Sequence, residues 1–285
     1  MTTIVPGEPL IEFKDVTISF EAEDVLSGIS FQVWPGETKI LLGESGSGKT
    51  LIMKMAAGLL RPDTGRIWVM GENVVAMSEK DLLDFRRNLG FVFQEGALFD
   101  SMNVAENVSF RLREELVDEN QIEARTREVL RFVEMEQAIE KYPSELSGGM
   151  RRRVSIARAL VDKPPIVFYD SPTAGLDPVT SQTIITLLLR GRDLQGVTSL
   201  LATHRVQDAF GLARFTFDEA SGRVLPRNGH GHLGVESESP AGTERKSPAT
   251  NVIVLKDGRI YYEGAVEDML QASDSYLKQF LASAE

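Results

Sequence analysis

Gly43-Glu44-Ser45-Gly46-Ser47-Gly48-Lys49-Thr50 follows the apolar run Ile40-Leu41-Leu42 and opens a segment of helical spacing over residues 51–60. Glycines at 43, 46 and 48 let the backbone curl with its N–H groups pointing inward, Lys49 adds a mobile positive charge, and Thr50 offers a hydroxyl to Mg²⁺. A helix leaving the loop adds the positive end of its dipole. An accidental glycine-rich turn would lack the strand before and the helix after, so the stretch reads as a phosphate-binding loop in an α/β core.

Composition narrows the rest. With 42 acidic against 31 basic residues the net charge is -11, which argues against nucleic acid and against adhesion to anionic lipid by bulk charge. There is no cysteine, which removes disulfides, thiolate catalysis and Cys-ligated metal sites. Residues 1–8 lack a basic and apolar leader pattern, and no apolar run is long enough to span a bilayer, so a cytoplasmic, soluble chain is expected.

Working outward, Ile11 to Phe20 and Ile29 to Val33 alternate as strands, with Ser27-Gly28 as a turn between them and Pro35-Gly36 as another after them; an antiparallel sheet beside the nucleotide is expected. Phe20, at the end of the first run, could stack on an adenine ring or sit in the core. Short strands over 66–70 and 72–75 precede a helix over 78–87 capped by Ser78. The strand over 89–94 ends in Gln94, whose amide can turn to a metal or a water, or cap the turn. Ala97, Leu98 and Phe99 form an apolar run suited to the core or to a partner's helix. A helix over 119–135 ends by Tyr142-Pro143. Ser147, Gly148 and Gly149 then expose backbone N–H groups at the start of a helix that runs through Leu160, a second anion site, while Arg151, Arg152 and Arg153 read as a solvated face.

Ile166 to Asp170 is a buried strand ending in a carboxylate suited to Mg²⁺, followed by the loop Ser171 to Pro178. The strand over 197–202 delivers Thr203-His204 to the ligand end of a parallel sheet. From 217 to 250 the composition turns to Gly, Pro, Ser and charge, and a flexible insertion is expected; His230 and His232 within it are too few for a metal site. A hairpin over 251–264 turns at Asp257-Gly258, and one or two helices over 265–281 carry the small apolar face Leu277, Phe280 and Leu281.

These stretches together resemble an ABC transporter ATPase subunit. Gly43 to Thr50 is similar to the Walker A motif, Gln94 to the Q-loop glutamine, Leu146 to Gly149 to the signature, Asp170 to the Walker B aspartate, Ala174 to Asp177 to the D-loop and His204 to the switch histidine; six motifs in this order are highly specific. The resemblance implies one α/β domain over 1–285 of the ABC type of P-loop NTPase, with an antiparallel β subdomain and an inserted helical subdomain over about 97–160. It implies ATP and Mg²⁺ as ligands. Lys49 would hold the β- and γ-phosphates within the loop of Gly43, Glu44, Ser45, Gly46, Ser47 and Gly48. Thr50, Gln94 and Asp170 would serve the metal, and Phe20 would stack on the base. Ser147, Gly148, Gly149 and Asp177 would complete the site of a second copy, and His204 would face the γ-phosphate and water.

Phe91 to Asp100, and Leu146 to Arg151 with Met150 where Gln is commoner, look most like ATPases of Mla/Mce-type lipid transport systems. That resemblance implies a homodimer under an MlaE-like permease, an Mce-type lipid-binding protein nearby and a place at the inner face of the cell membrane. An importer of a small solute and a non-catalytic ATP-dependent clamp stay open. Two departures stand out: Ser171 occupies the position of the family's water-activating glutamate, and the stretch 217–250 is long.

Overall fold

Thr38–Leu42, Ile166–Asp170 and Thr198–Thr203 are buried at every position, the mark of parallel strands covered on both faces. The computed structural model describes residues 7–21, 23–227 and 250–282. The strands are β1 (Ile11–Phe20), β2 (Glu23–Val33), β3 (Thr38–Leu42), β4 (Thr64–Val69), β5 (Glu72–Asn73), β6 (Leu89–Val92), β7 (Ile166–Asp170), β8 (Thr198–Thr203), β9 (Phe215–Asp218), β10 (Arg223–Pro226), β11 (Thr250–Lys256) and β12 (Arg259–Ala265). The helices are α1 (Lys49–Ala56), α2 (Glu79–Arg86), α3 (Val104–Glu114), α4 (Glu119–Phe132), α5 (Gly148–Leu160), α6 (Pro178–Gln195), α7 (Val206–Arg214), α8 (Val266–Gln271) and α9 (Ser275–Ala282).

One sheet runs β12-β11-β3-β8-β7-β6, parallel except for β11 with β12, and a second, antiparallel sheet runs β2-β1-β4-β5. Successive side chains of a strand point to opposite faces, so Ile40 and Leu42 join the core shared with α3 to α7 while Leu41 joins the core beneath the antiparallel sheet. Helix α1 packs against β4, β7 and β8 and so lies between the sheets. Helices α3, α4 and α5 are inserted between β6 and β7 and pack on one another.

Three expectations change. Ser27-Gly28 is not a turn: Gly28, at φ 65, lies inside β2, where its N–H donates to Thr17 Oγ1 at 3.1 Å and the register with β1 slips. The chain reverses at Glu21 instead. A positive-φ glycine serves a bulge as well as a turn, and composition does not separate the two. The helix expected to reach 135 ends at Phe132, because Glu134 takes a left-handed conformation (φ 58) and the Met135 N–H closes back on the Leu130 carbonyl at 2.8 Å. The stretch read as an insertion from 217 is ordered at its start, since β9 and β10 form an antiparallel hairpin as far as Pro226, and β11 already begins at Thr250. Residues 228–249, with His230 and His232, lie outside the described residues.

The hairpin is held by a buried ion pair. Arg192, with its side chain 1% exposed, pairs through Nε with Asp193 Oδ1 at 2.7 Å and donates to the Phe215 carbonyl at 2.8 Å and to Thr250 Oγ1 at 3.0 Å. Asp193 Oδ2 accepts from the Phe217 N–H at 2.7 Å and from Thr216 Oγ1 at 3.0 Å. The end of α6 is thus tied to β9 and β11. Asp193→Ala would leave the Arg192 charge buried without its partner, and denaturant unfolding should show a loss of about 3–5 kcal/mol.

Candidate nucleotide site

Strand β3 ends against the loop 43–50, and close packing explains two of its glycines. A Cβ on Gly43 would lie 2.6 Å from Ser47 Oγ and 2.9 Å from the Leu255 carbonyl oxygen, so β11 leaves no room for a side chain. Gly48 caps α1 at φ 93, a left-handed geometry that favours glycine, with Leu26 directly beneath it. Lys49 is buried, and its ammonium donates to the carbonyls of Gly43 at 2.8 Å and Glu44 at 2.7 Å and to Ser47 Oγ at 3.2 Å. Burial pushes its pKa below the usual lysine range, against the pull of Asp170 and Glu44.

Thr50 Oγ1 donates to Asp170 Oδ2 at 2.9 Å, joining the start of α1 to the end of β7. Ser171 follows in a left-handed conformation (φ 48), its N–H bonded to the Ala202 carbonyl at 2.8 Å and its hydroxyl 3.5 Å from Asp170 Oδ1. A cleft of about 700 Å³ is lined by Gly43, Glu44, Ser45, Gly46, Ser47, Gly48, Lys49, Thr50 and Leu51 together with Gln94, Ser171, His204 and Phe280. No cluster of three or more His, Asp or Glu is found among the described residues. The oxygen donors Thr50 and Asp170, with the Gln94 amide at the cleft, nevertheless fit a hard cation that keeps water and phosphate ligands, as Mg²⁺ does.

The other expected site residues do not line this cleft. Phe20 is 47% exposed at the end of β1. Ser147 caps α5, accepting from the Met150 N–H at 3.2 Å. Gly149 is pressed against Thr180 of α6, so a side chain there would collide. Gly148 lies in a smaller cleft of about 320 Å³ that also contains Gln94, Arg151, Arg152 and Gly175. Asp177 caps α6 through the Val179 and Thr180 N–H groups, both at 3.0 Å, and these bonds with the Thr180 hydroxyl lower its pKa.

The arginines of α5 are solvated only in part: Arg151 is exposed and Arg153 half-buried, but Arg152 is not. Arg152 is buried and donates to the Phe93 carbonyl at 2.9 Å, Arg151 donates to the Leu146 carbonyl at 2.7 Å, and Arg158 to those of Ala97 and Gly96 at 2.8 and 3.1 Å. Desolvation lowers the pKa of Arg152 and Arg158. Phe99 is half-exposed, its ring tilted at 45° to that of Phe110 and beneath the Arg158 guanidinium, while Leu98 packs on the core. Phe280 is the site residue that the sequence does not announce. It reads there as one apolar position of a terminal helix, and it reaches the cleft because β11 places the last hairpin beside β3.

A family model described as ABC transporter matches residues 26–174. The chain belongs to the ABC transporter family. It is 39% identical over 206 residues to the probable ribonucleotide transport ATP-binding protein mkl of Mycobacterium leprae, across 72% of this chain and 59% of that protein, so the match spans little more than half of that relative. It is 29% identical over 276 residues to the intermembrane phospholipid transport system ATP-binding protein MlaF of Haemophilus influenzae, across 96% of this chain and 91% of that one. A solved dimeric ATP-binding cassette in a post-hydrolysis state bound to ADP and Pi superposes with a TM-score of 0.72 at 26% identity, covering 90% of this chain and 98% of that one. The paired antiparallel and parallel sheets are thus the ABC ATPase fold.

In this ABC chain the Lys49 ammonium rests on loop carbonyls rather than in the hydrophobic core. Lys49→Ala should therefore abolish tight ATP·Mg²⁺ binding by calorimetry while the circular dichroism spectrum stays that of the parent.

Proposed function

We propose that the chain is the ATP-hydrolysing subunit of an ABC transporter that moves phospholipid or a related lipid, working as a homodimer under an MlaE-like permease with an Mce-type lipid-binding protein. The observation that carries the ATPase reading is the loop 43–50 with Lys49 inside it and Thr50 bonded to Asp170 at the end of β7. Lys49 grips the β- and γ-phosphates, and Thr50, Gln94 and Asp170 hold Mg²⁺, which when bound neutralises phosphate charge and orients the γ-phosphoryl group. His204 faces the γ-phosphate and the attacking water, and Phe20 stacks on the adenine. Ser147, Gly148, Gly149 and Asp177 stand outside the cleft of their own chain, which supports the reading that a second copy supplies them. The lipid assignment is supported by the near full-length match to MlaF.

Among the described residues no helix is long and apolar enough to cross a membrane, so the membrane is reached through the permease. The apolar turn after Gln94 is the surface for that contact. Phe99→Asp should weaken co-purification with the permease far more than ATP binding, because an exposed aromatic anchor is replaced by a charge that the interface would desolvate. Identification of the lipid that co-purifies with the complex tests the substrate; recovery of a bound small solute in its place would favour an importer.

Ser171 favours a second reading, an ATP-dependent clamp with little turnover. A serine hydroxyl is far too weak a base at neutral pH, and a placed general base contributes about 10²- to 10⁴-fold in rate. Charge stabilisation by Lys49 and the metal remains, so slow hydrolysis with long-lived closed dimers is expected. Single-turnover hydrolysis by the full complex should rise strongly in Ser171→Glu and change little in Ser171→Ala. A fast parent that Glu fails to improve would count against the slow-enzyme reading, and a parent with no turnover at all would select the clamp.

A further inference from the structure

We propose that Asp208 is a positioning residue of the nucleotide site, a single buried carboxylate that locks the loop after β7 to the last residue of β8 so that Ser171 and His204 are held as one unit. The inference rests on the nucleotide site proposed above and deepens it.

Asp208 lies in the first turn of α7, is 2% exposed and does not line the cleft. One oxygen, Oδ2, accepts from Thr173 Oγ1 at 2.6 Å and from Thr203 Oγ1 at 2.7 Å, and both threonines are buried. Thr203 immediately precedes His204, and Thr173 lies two residues beyond Ser171. Hydrogen bonds of this length to a carboxylate are charge-assisted, roughly twice as strong as neutral ones. Arg205 closes the arrangement. Its N–H donates to Thr203 Oγ1 at 3.0 Å, its Nη1 donates to the Thr173 carbonyl at 3.3 Å and to Ser181 Oγ at 3.0 Å, and its Nε lies 3.9 Å from Asp208 Oδ1.

A buried charge is tolerated only when its lone pairs are met, and here one donor comes from the loop after β7 and the other from the end of β8. A carboxylate retained merely to favour the positive end of α7 would turn to that helix's own N–H groups. Asp208 turns to the threonines of the site instead. Since Ser171 brings no base, alignment of the attacking water depends on where His204 and the backbone at 171 are held, and misplacement on the order of 1 Å costs about 10²-fold in rate.

The test uses the full chain with its histidines isotopically labelled. There are three, and the His204 imidazole signal is assigned by its loss in His204→Gln. Asp208→Ala should shift and broaden that signal and lower single-turnover ATP hydrolysis by about 10- to 100-fold, with ATP affinity changed by less than about 3-fold. Asp208→Asn, which keeps an acceptor for both hydroxyls but faces Arg205 with a donor, should fall between Asp208→Ala and the parent. Thr173→Val should have its own effect in the parent and add nothing in the Asp208→Ala background, since the two act through one bond. Should Asp208→Ala fail to fold, Thr173→Val and Thr203→Val carry the same two readouts. An unmoved His204 signal with unchanged hydrolysis in these folded variants would overturn the proposal. A parent without hydrolysis would tell against the ATPase reading alone, because the His204 signal still decides the role of Asp208.

Discussion

One hydrogen bond, from Thr50 Oγ1 to Asp170 Oδ2, sets the geometry on which the rest of the nucleotide site depends. Strands β3 and β7 are not neighbours, since β8 runs between them, and two strand spacings separate their ends by about 10 Å. The first turn of α1 spans that gap. It brings the loop that ends β3 within reach of the carboxylate that ends β7, and everything else in the cleft is arranged around this bridge. Lys49 is turned back over its own loop on one side, and Ser171 and His204 approach on the other.

The arginines of α5 show how an acidic chain uses positive charge. Arg152 and Arg158 spend their donors on the carbonyls of Phe93, Gly96 and Ala97, the residues flanking Gln94, whereas the same helix begins at Ser147. The turn that carries Gln94 and the exposed Phe99 is therefore bolted along the flank of α5. A displacement of that turn would be passed to α5, the helix that begins after Ser147.

Much of this was legible in the chain itself. The loop 43–50, the buried strand ending at Asp170 and the strand delivering His204 are each marked by a local pattern, and each stands where the pattern places it. Four features resisted, for three different reasons. Ser27-Gly28 has the composition of a turn and the geometry of a bulge, and only the bonds from Gly28 to Thr17 and from Ser27 to Gly258 decide between them. Arg152, within the triple arginine, reads as solvated because its acceptor is a main-chain carbonyl, which leaves no mark in side-chain composition. Phe280 reaches the cleft from far along the chain, and Asp208, although only five residues from Thr203, meets Thr173 across 35, so nothing near either residue betrays the cleft or the second threonine.

The neighbours of β3 have a consequence for the order in which the molecule comes into being. The strand that feeds the phosphate loop is made early, but it is flanked by residues 198–203 on one side and 250–254 on the other. During synthesis it has no partner within the parallel sheet until β8 emerges, and its second edge stays open until β11 follows. Pairings so remote in sequence make slow folding steps, and an unpaired apolar edge invites association with other chains meanwhile. Because β11 also supplies the carbonyl packed against Gly43, the phosphate loop takes its final shape only once β11 has left the ribosome, about two hundred residues after the loop itself was made.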